Sequence, residues 1–286
     1  MLARLLEHAP PAAVVLAGVG DPEPAPGPEP PGWSLPVAGP PALGFRGLAS
    51  EARIPLVPLG GGWAQAAARV RRLAPRFLIA GCFPRILPPG WLRLAPGGAL
   101  NLHPSMLPAY RGPDPLFWQL RHDERSGGVT LHRMTIRVDA GPILAQRRLP
   151  LAAEKAAEAI IETLAAAGAE LIGALLAGRL GAERPQDETR ASWFPWPDAA
   201  ARELPRRWGR ARAERFLRRA ARWGPFPVRA GHETVLVERP LPAGPQGAPA
   251  GDWILFREPG RTWIRLRDGP LAVHEAVIRS AHSRER

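Results

Sequence analysis

One cysteine, one tyrosine and three methionines stand in a chain of 286 residues, and Lys155 is its only lysine. A lone cysteine excludes an internal disulfide framework and a cysteine-rich metal site. Cys82 lies in the apolar run 77–83, where a buried, inert thiol is expected. No apolar run approaches the length of a membrane span, and the start lacks a charged-then-apolar signal pattern. No membrane partner is therefore expected, and a cytoplasmic location is. His8, His232, His274 and His282 show no ligand spacing, so no metal site is expected. The scarcity of lysine leaves arginine to carry the net charge of +12. Such a balance attracts phosphate-rich partners, although the abundance of arginine, alanine and proline equally fits a GC-rich coding bias.

What is present is regular alternation. Residues 2–7 read as helix, 13–18 as strand, 43–51 as helix, 54–59 as strand, 63–73 as helix and 77–83 as strand. That order predicts an α/β fold with a mostly parallel sheet. The proline-dense segment 21–41, charged only by Asp21, Glu23 and Glu29, reads as an extended loop. Residues 154–179 place apolar side chains at helical spacing and predict a helix packed on the sheet. A segment rich in proline and charge, 181–206, reads as a linker. Beyond it come an arginine-rich helix at 207–222, stopped by 224–227, and short β segments at 232–238, 253–257, 262–266 and 271–277. These predict a small open barrel. The division expected is a catalytic domain at 1–180, the linker, and a β-rich domain with the arginine-rich helix at 207–286.

The stretch from Asn101 to Leu144 carries the candidate chemistry. A short strand at 98–103, stopped by Pro104, alternates Asn101 and His103 onto one face near its carboxyl end. In an open α/β sheet that edge is where ligands bind. A helix follows at 113–121, then strands at 129–134 and 143–149, with Asp139 in the loop between them. An imidazole that titrates near neutrality can take and pass on a proton, which suits His103. An asparagine amide can donate to an oxygen that gains negative charge, which suits Asn101. Asp139, if close, orients the imidazole or holds a proton-relaying water. The set suits acyl transfer without a covalent enzyme intermediate, since no serine or cysteine nucleophile motif accompanies it. His132, two positions from Thr130 on its strand, reads as a packing residue.

Asn101-x-His103, Pro-Ser-Met-Leu-Pro, Tyr-Arg-Gly, Gly-Val-Thr-x-His and Asp-Ala-Gly-Pro-Ile-Leu, in this order and spacing, resemble the formyltransferases that use 10-formyltetrahydrofolate. The resemblance implies a Rossmann-like formyltransferase sheet, with Asn101, His103 and Asp139 matching the family's catalytic trio. It implies folate-binding loops at Arg85, Ile86 and Leu87, at Ser105, Met106, Leu107 and Pro108, and at Arg137, Val138, Ala140 and Gly141, acting largely through backbone groups. The implied co-substrate is 10-formyltetrahydrofolate, with no metal. The implied acceptor is an amine, on aminoacyl-tRNA in methionyl-tRNA formyltransferases and on a nucleotide in amino-sugar formyltransferases. The carboxyl-terminal β-rich segment and the arginine-rich helix favour the first and a role in protein biosynthesis. Thr130 to Met134 and the acidic early loop favour the second. The family pattern also begins with a strand ahead of the helix at 2–7; this sequence lacks it, and a misassigned start is expected. Two further classes stand beside these: a hydrolase that splits formyl-folate with no acceptor, and a non-catalytic nucleic-acid-binding module. Retention of all three polar residues argues against the second.

Overall fold

The computed structural model describes residues 14–16, 53–54, 56–59, 62–230, 232–242, 247–248, 251 and 254–275. The helices expected at 2–7 and 43–51 and the loop expected at 21–41 lie outside them. The chain divides into two compact units. One comprises the described residues of Met1–Leu116 with Ser126–Pro150 and Ile161–Trp196; the other comprises Phe117–Arg125, Leu151–Ile160 and the described residues of Pro197–Arg286. The division interleaves, whereas the sequence reading placed domains end to end with a boundary at 180.

In the first unit, β1 (Val14–Leu16) and β2 (Leu56–Pro58) pair in parallel. Helix α1 (Gly62–Arg72) buries Ala66, Ala67 and Val70 on one face, against Val57, Leu59, Leu87 and Trp91. A second sheet runs in the order β3 (Leu78–Gly81), β4 (Ala99–His103), β5 (Ser126–Arg133) and β6 (Ile143–Pro150). β3 and β4 are parallel, as expected, and the sheet then continues antiparallel through β5 and β6. For β5 and β6 the reason is chain length: residues 134–142 are a hairpin loop, too short for the crossover that a parallel pair requires. Cys82 is exposed, which corrects the buried thiol expected for it. The strand ends at Gly81, and Cys82 leaves it in a left-handed turn with φ 52°.

Alternation along β4 separates two chemistries. Leu100 and Leu102 are buried, and Leu102 lies opposite Leu131 of β5. On the other face Asn101 lies opposite His132 and His103 opposite Thr130. Helix α3 (Ala157–Leu176) packs Gly168 against Leu102 and buries Ile160, Leu164, Ala167 and Ile172. By length and composition alone this 20-residue helix would reach across a bilayer, with mean hydropathy 1.7. That corrects the expectation that no run comes close. Its buried positions recur at helical spacing, as in a helix packed on a protein core.

In the second unit five antiparallel strands run in the order β7 (Phe226–Ala230), β8 (Glu233–Pro240), β11 (Gly269–Glu275), β10 (Arg261–Leu266) and β9 (Leu255–Glu258). Among the described residues β7 and β9 do not pair, so the sheet stays open, in line with the open β-rich architecture expected. β7 was hidden in the sequence by Pro225 and Pro227; as an edge strand it tolerates a residue without an N–H, and it pairs only with β8. Helix α2 (Pro115–Arg121) brings Phe117 to 6.1 Å from Phe216 of α5 (Arg210–Arg219), after the short α4 (Ala199–Arg202). Phe216 in turn meets Phe226 at 4.9 Å and Trp208 at 5.4 Å. The guanidinium carbons of Arg121 and Arg212 lie 4.8 and 4.2 Å from the Trp208 ring. Burial, then the charges of Arg212 and Arg207, push the Arg121 pKa down to about 10.

Candidate functional site

The polar face of β4 and β5 meets the hairpin loop that joins β5 to β6, and Asp139 is where they converge. Its φ of 54° is left-handed, a conformation that costs a non-glycine residue energy and persists only when neighbours hold it. Several do. Asp139 Oδ2 accepts the Gly112 N–H at 2.9 Å, and Oδ1 accepts from Asn101 Nδ2 at 3.4 Å. Gly112 has φ 113°, and a Cβ there would lie 2.0 Å from the Phe194 carbonyl oxygen, so only glycine delivers this N–H.

His103 is 4% exposed and its Nδ1 lies 3.7 Å from Asp139 Oδ2. Its Nε2 lies 2.7 Å from the Tyr110 carbonyl oxygen. A carbonyl only accepts, so Nε2 carries a proton and donates it; in the neutral ring the Nδ1 lone pair then faces the carboxylate. His132 is oriented by the same logic. Its Nδ1–H donates to the Arg133 carbonyl at 3.0 Å, leaving Nε2 to accept from Asn101 Nδ2 at 3.2 Å. Burial, and then the adjacent His103, push the His132 pKa down to about 4 against the pull of Asp139. His132 therefore stays a neutral acceptor at neutral pH. It fixes the Asn101 amide: turning the oxygen inward would set it against a lone pair and a carboxylate. Asn101, His103 and Asp139, singled out in the sequence, are thus brought together, and His132 packs as expected but with a directional role as well.

The sequence reading missed the layer behind Asp139. Gln186 Nε2 donates to the Asp139 carbonyl at 2.8 Å and to the Gly141 carbonyl at 2.7 Å. Its Oε1 accepts from Arg111 Nε at 3.2 Å and Nη2 at 2.8 Å. Buried Arg111 also holds Glu188 at 2.9 and 3.0 Å, which keeps the Glu188 carboxyl below its usual pKa. These partners lie in the segment read as a linker. Its early part also pairs by backbone with the Tyr-Arg-Gly turn: Arg111 N donates to Ser192 O and Phe194 N to Arg111 O, both at 2.9 Å. Tyr110 stacks on Phe194 with ring centres 5.3 Å apart. The sequence marks them only by the polar run Pro185 to Glu188.

The candidate folate residues fall into two groups. Ile86 is 78% exposed, Val138 and Arg137 are exposed, and Arg85 lies over the Trp63 ring at 5.5 Å. Leu87, Ser105, Leu107 and Gly141 are buried. Leu107 N donates to Thr130 Oγ1 at 3.2 Å, Leu107 O accepts from Gln146 at 2.8 Å, Ser105 O accepts from Thr130 at 2.7 Å and Pro108 O accepts from Ser192 N at 3.2 Å. In this structure those backbone groups brace the site; Met106 is half-buried beside them. A cavity of about 470 Å³ is lined by Arg111, Arg137, Val138, Ala140, Ala191, Ser192 and Trp193. Among the described residues no group of three His, Cys, Asp or Glu side chains is placed to hold a metal.

Solved structures share this fold. A variant of HypX from Aquifex aeolicus superposes with a TM-score of 0.58 at 22% identity, over 78% of this chain and 41% of that one. HypX from the same organism in complex with tetrahydrofolic acid gives 0.56 at 22% identity, over 78% and 40%. An N-formyltransferase from Helicobacter canadensis, in complex with folinic acid and dTDP-3-aminofucose, gives 0.55 at 16% identity, over 80% and 81%. The chain spans about two fifths of the length of the HypX structures. Residues 62–176, which hold Asn101, His103 and Asp139, match the family model described as formyl transferase.

Proposed function

We propose that the chain transfers a formyl group from 10-formyltetrahydrofolate to a primary amine, with Asn101, His103 and Asp139 as its reacting groups. The observation that carries this reading is their convergence: Asp139 meets Asn101 through one carboxylate oxygen at 3.4 Å and faces His103 through the other at 3.7 Å. The 3.4 Å bond is long, so that Asn101 N–H is the one able to turn to an oxygen gaining negative charge as the amine attacks the formyl carbon. The proton lost by the amine suits His103 Nδ1, where Asp139 Oδ2 stabilises the resulting imidazolium; the imidazolium returns the proton to the folate nitrogen as its bond to the formyl carbon breaks, leaving tetrahydrofolate and the formylated amine. The residues present fit the donor. Exposed Ile86 and Val138 offer apolar surface to a flat ring system. When bound, the folate supplies the activated formyl carbon.

Trp193 and Arg137, which line the cavity, suit a base and a phosphate. They support an acceptor amine carried on a nucleotide, either the methionyl group of a charged tRNA or an amino-sugar nucleotide. The test follows folate release from 10-formyltetrahydrofolate with charged initiator tRNA, with dTDP-linked amino sugars and with no acceptor. Dependence on tRNA assigns a role in protein biosynthesis, dependence on the sugar nucleotide assigns glycan chemistry, and equal release without acceptor overturns transfer in favour of hydrolysis.

A further inference from the structure

We infer that Gln186 is a positioning residue, whose side-chain amide sets the Asp139 carboxylate toward Asn101 and His103. The inference rests on the reading of Asp139 as part of the formyl-transfer site.

Asp139 sits in a left-handed conformation at a hairpin tip, where nothing in the strand ladder holds it. Gln186 supplies the restraint. One amide nitrogen spans two carbonyls of the same turn, those of Asp139 and Gly141. The amide has one possible orientation, because Arg111 donates twice to Oε1. Nε2 must then point at the turn. Arg111 is itself fixed by the Glu188 carboxylate and by backbone pairing with Ser192 and Phe194. A rigid chain thus runs from Glu188 through Arg111 and Gln186 to the backbone of Asp139. Gly112, the next residue after Arg111, closes the circuit by donating its N–H to Asp139 Oδ2. The backbone is gripped from behind and the carboxylate from the front. Displacement of a reacting group by about 1 Å costs on the order of 100-fold in rate, so a grip of this kind carries catalytic weight without touching substrate.

The test compares Gln186→Leu, which removes the amide, with Gln186→Glu, which keeps its shape and its contact with Arg111. In the second the ionised oxygen facing the turn has no hydrogen to donate to either carbonyl. Both variants are expected to lower kcat about 10- to 100-fold, with KM for donor and acceptor within about threefold. Hydrogen exchange at the Gly112 amide is expected to accelerate in both. A kcat within twofold of wild type in Gln186→Glu at pH 8, or unchanged Gly112 exchange, would each overturn the inference. If Gln186→Leu does not fold, Gln186→Glu decides alone. If wild type transfers formyl to no acceptor, the functional reading falls, while Gly112 exchange still decides whether Gln186 holds the turn.

Discussion

The two units bury polar groups in opposite ways. Around Asp139 every buried side chain meets a partner of fixed direction: His132 accepts from Asn101, Gln186 bridges two carbonyls, and Arg111 forks onto Gln186 and Glu188. In the second unit Arg121 and Arg212 are laid over the Trp208 ring, and Arg121 Nη1, Arg212 Nε and Arg219 Nε are buried with no hydrogen-bond partner. Stacking on an aromatic face rewards proximity and tolerates rotation; hydrogen bonds reward angle. The first arrangement holds atoms in register and the second adheres.

Four measurements break or sharpen that contrast. The largest effect is expected from His103→Ala, which removes the proposed proton acceptor and should lower kcat for formyl transfer by about 1,000-fold. Rates within tenfold of wild type would end the assignment of His103. Next is acid stability. Unfolded His132 protonates near pH 6.5, whereas the folded ring stays neutral down to about pH 4. Its contribution is full above pH 6.5 and is lost as pH falls from 6.5 toward 4, by roughly 3 kcal/mol. Urea midpoints should fall over that interval, and His132→Asn should flatten the fall. Arg111→Met strips Gln186 of its orienting donors and should cost about 2 kcal/mol in urea unfolding. Arg121→Met is the counterpart in the second unit and should change stability by less than about 1 kcal/mol, because a buried cation held by stacking is replaceable by an apolar chain. Equal costs for the two arginines would erase the distinction.

How far the sequence exposed this arrangement follows from the reach of each signal. Asn101 and His103 were legible because strand alternation is local and Pro104 ends the strand. Asp139 needed the longer motif, since an aspartate before Ala-Gly alone reads as a turn. Gln186 was not legible, because its partners lie 45 and 47 residues away and no periodicity marks a residue that acts through one amide. The antiparallel half of the four-stranded sheet was missed because β5 and β6 carry the same residue types as parallel strands. The interleaved division was hidden because short pieces, 117–125 and 151–160, sit in the second unit while their neighbours sit in the first. The run 77–83 looked uniform, but backbone geometry rather than hydropathy decides where Cys82 points.

The fixed amide of Asn101 has a consequence for what the site turns away. With His132 holding one N–H and the oxygen facing elsewhere, Asn101 can only give a hydrogen inward. A formamidine analogue of the donor, carrying N–H where the formyl oxygen belongs, would set donor against donor. Under the proposed function, the pocket would therefore discriminate oxygen from nitrogen at the carbonyl position by a decision made one strand away, in which ring nitrogen of His132 keeps its hydrogen.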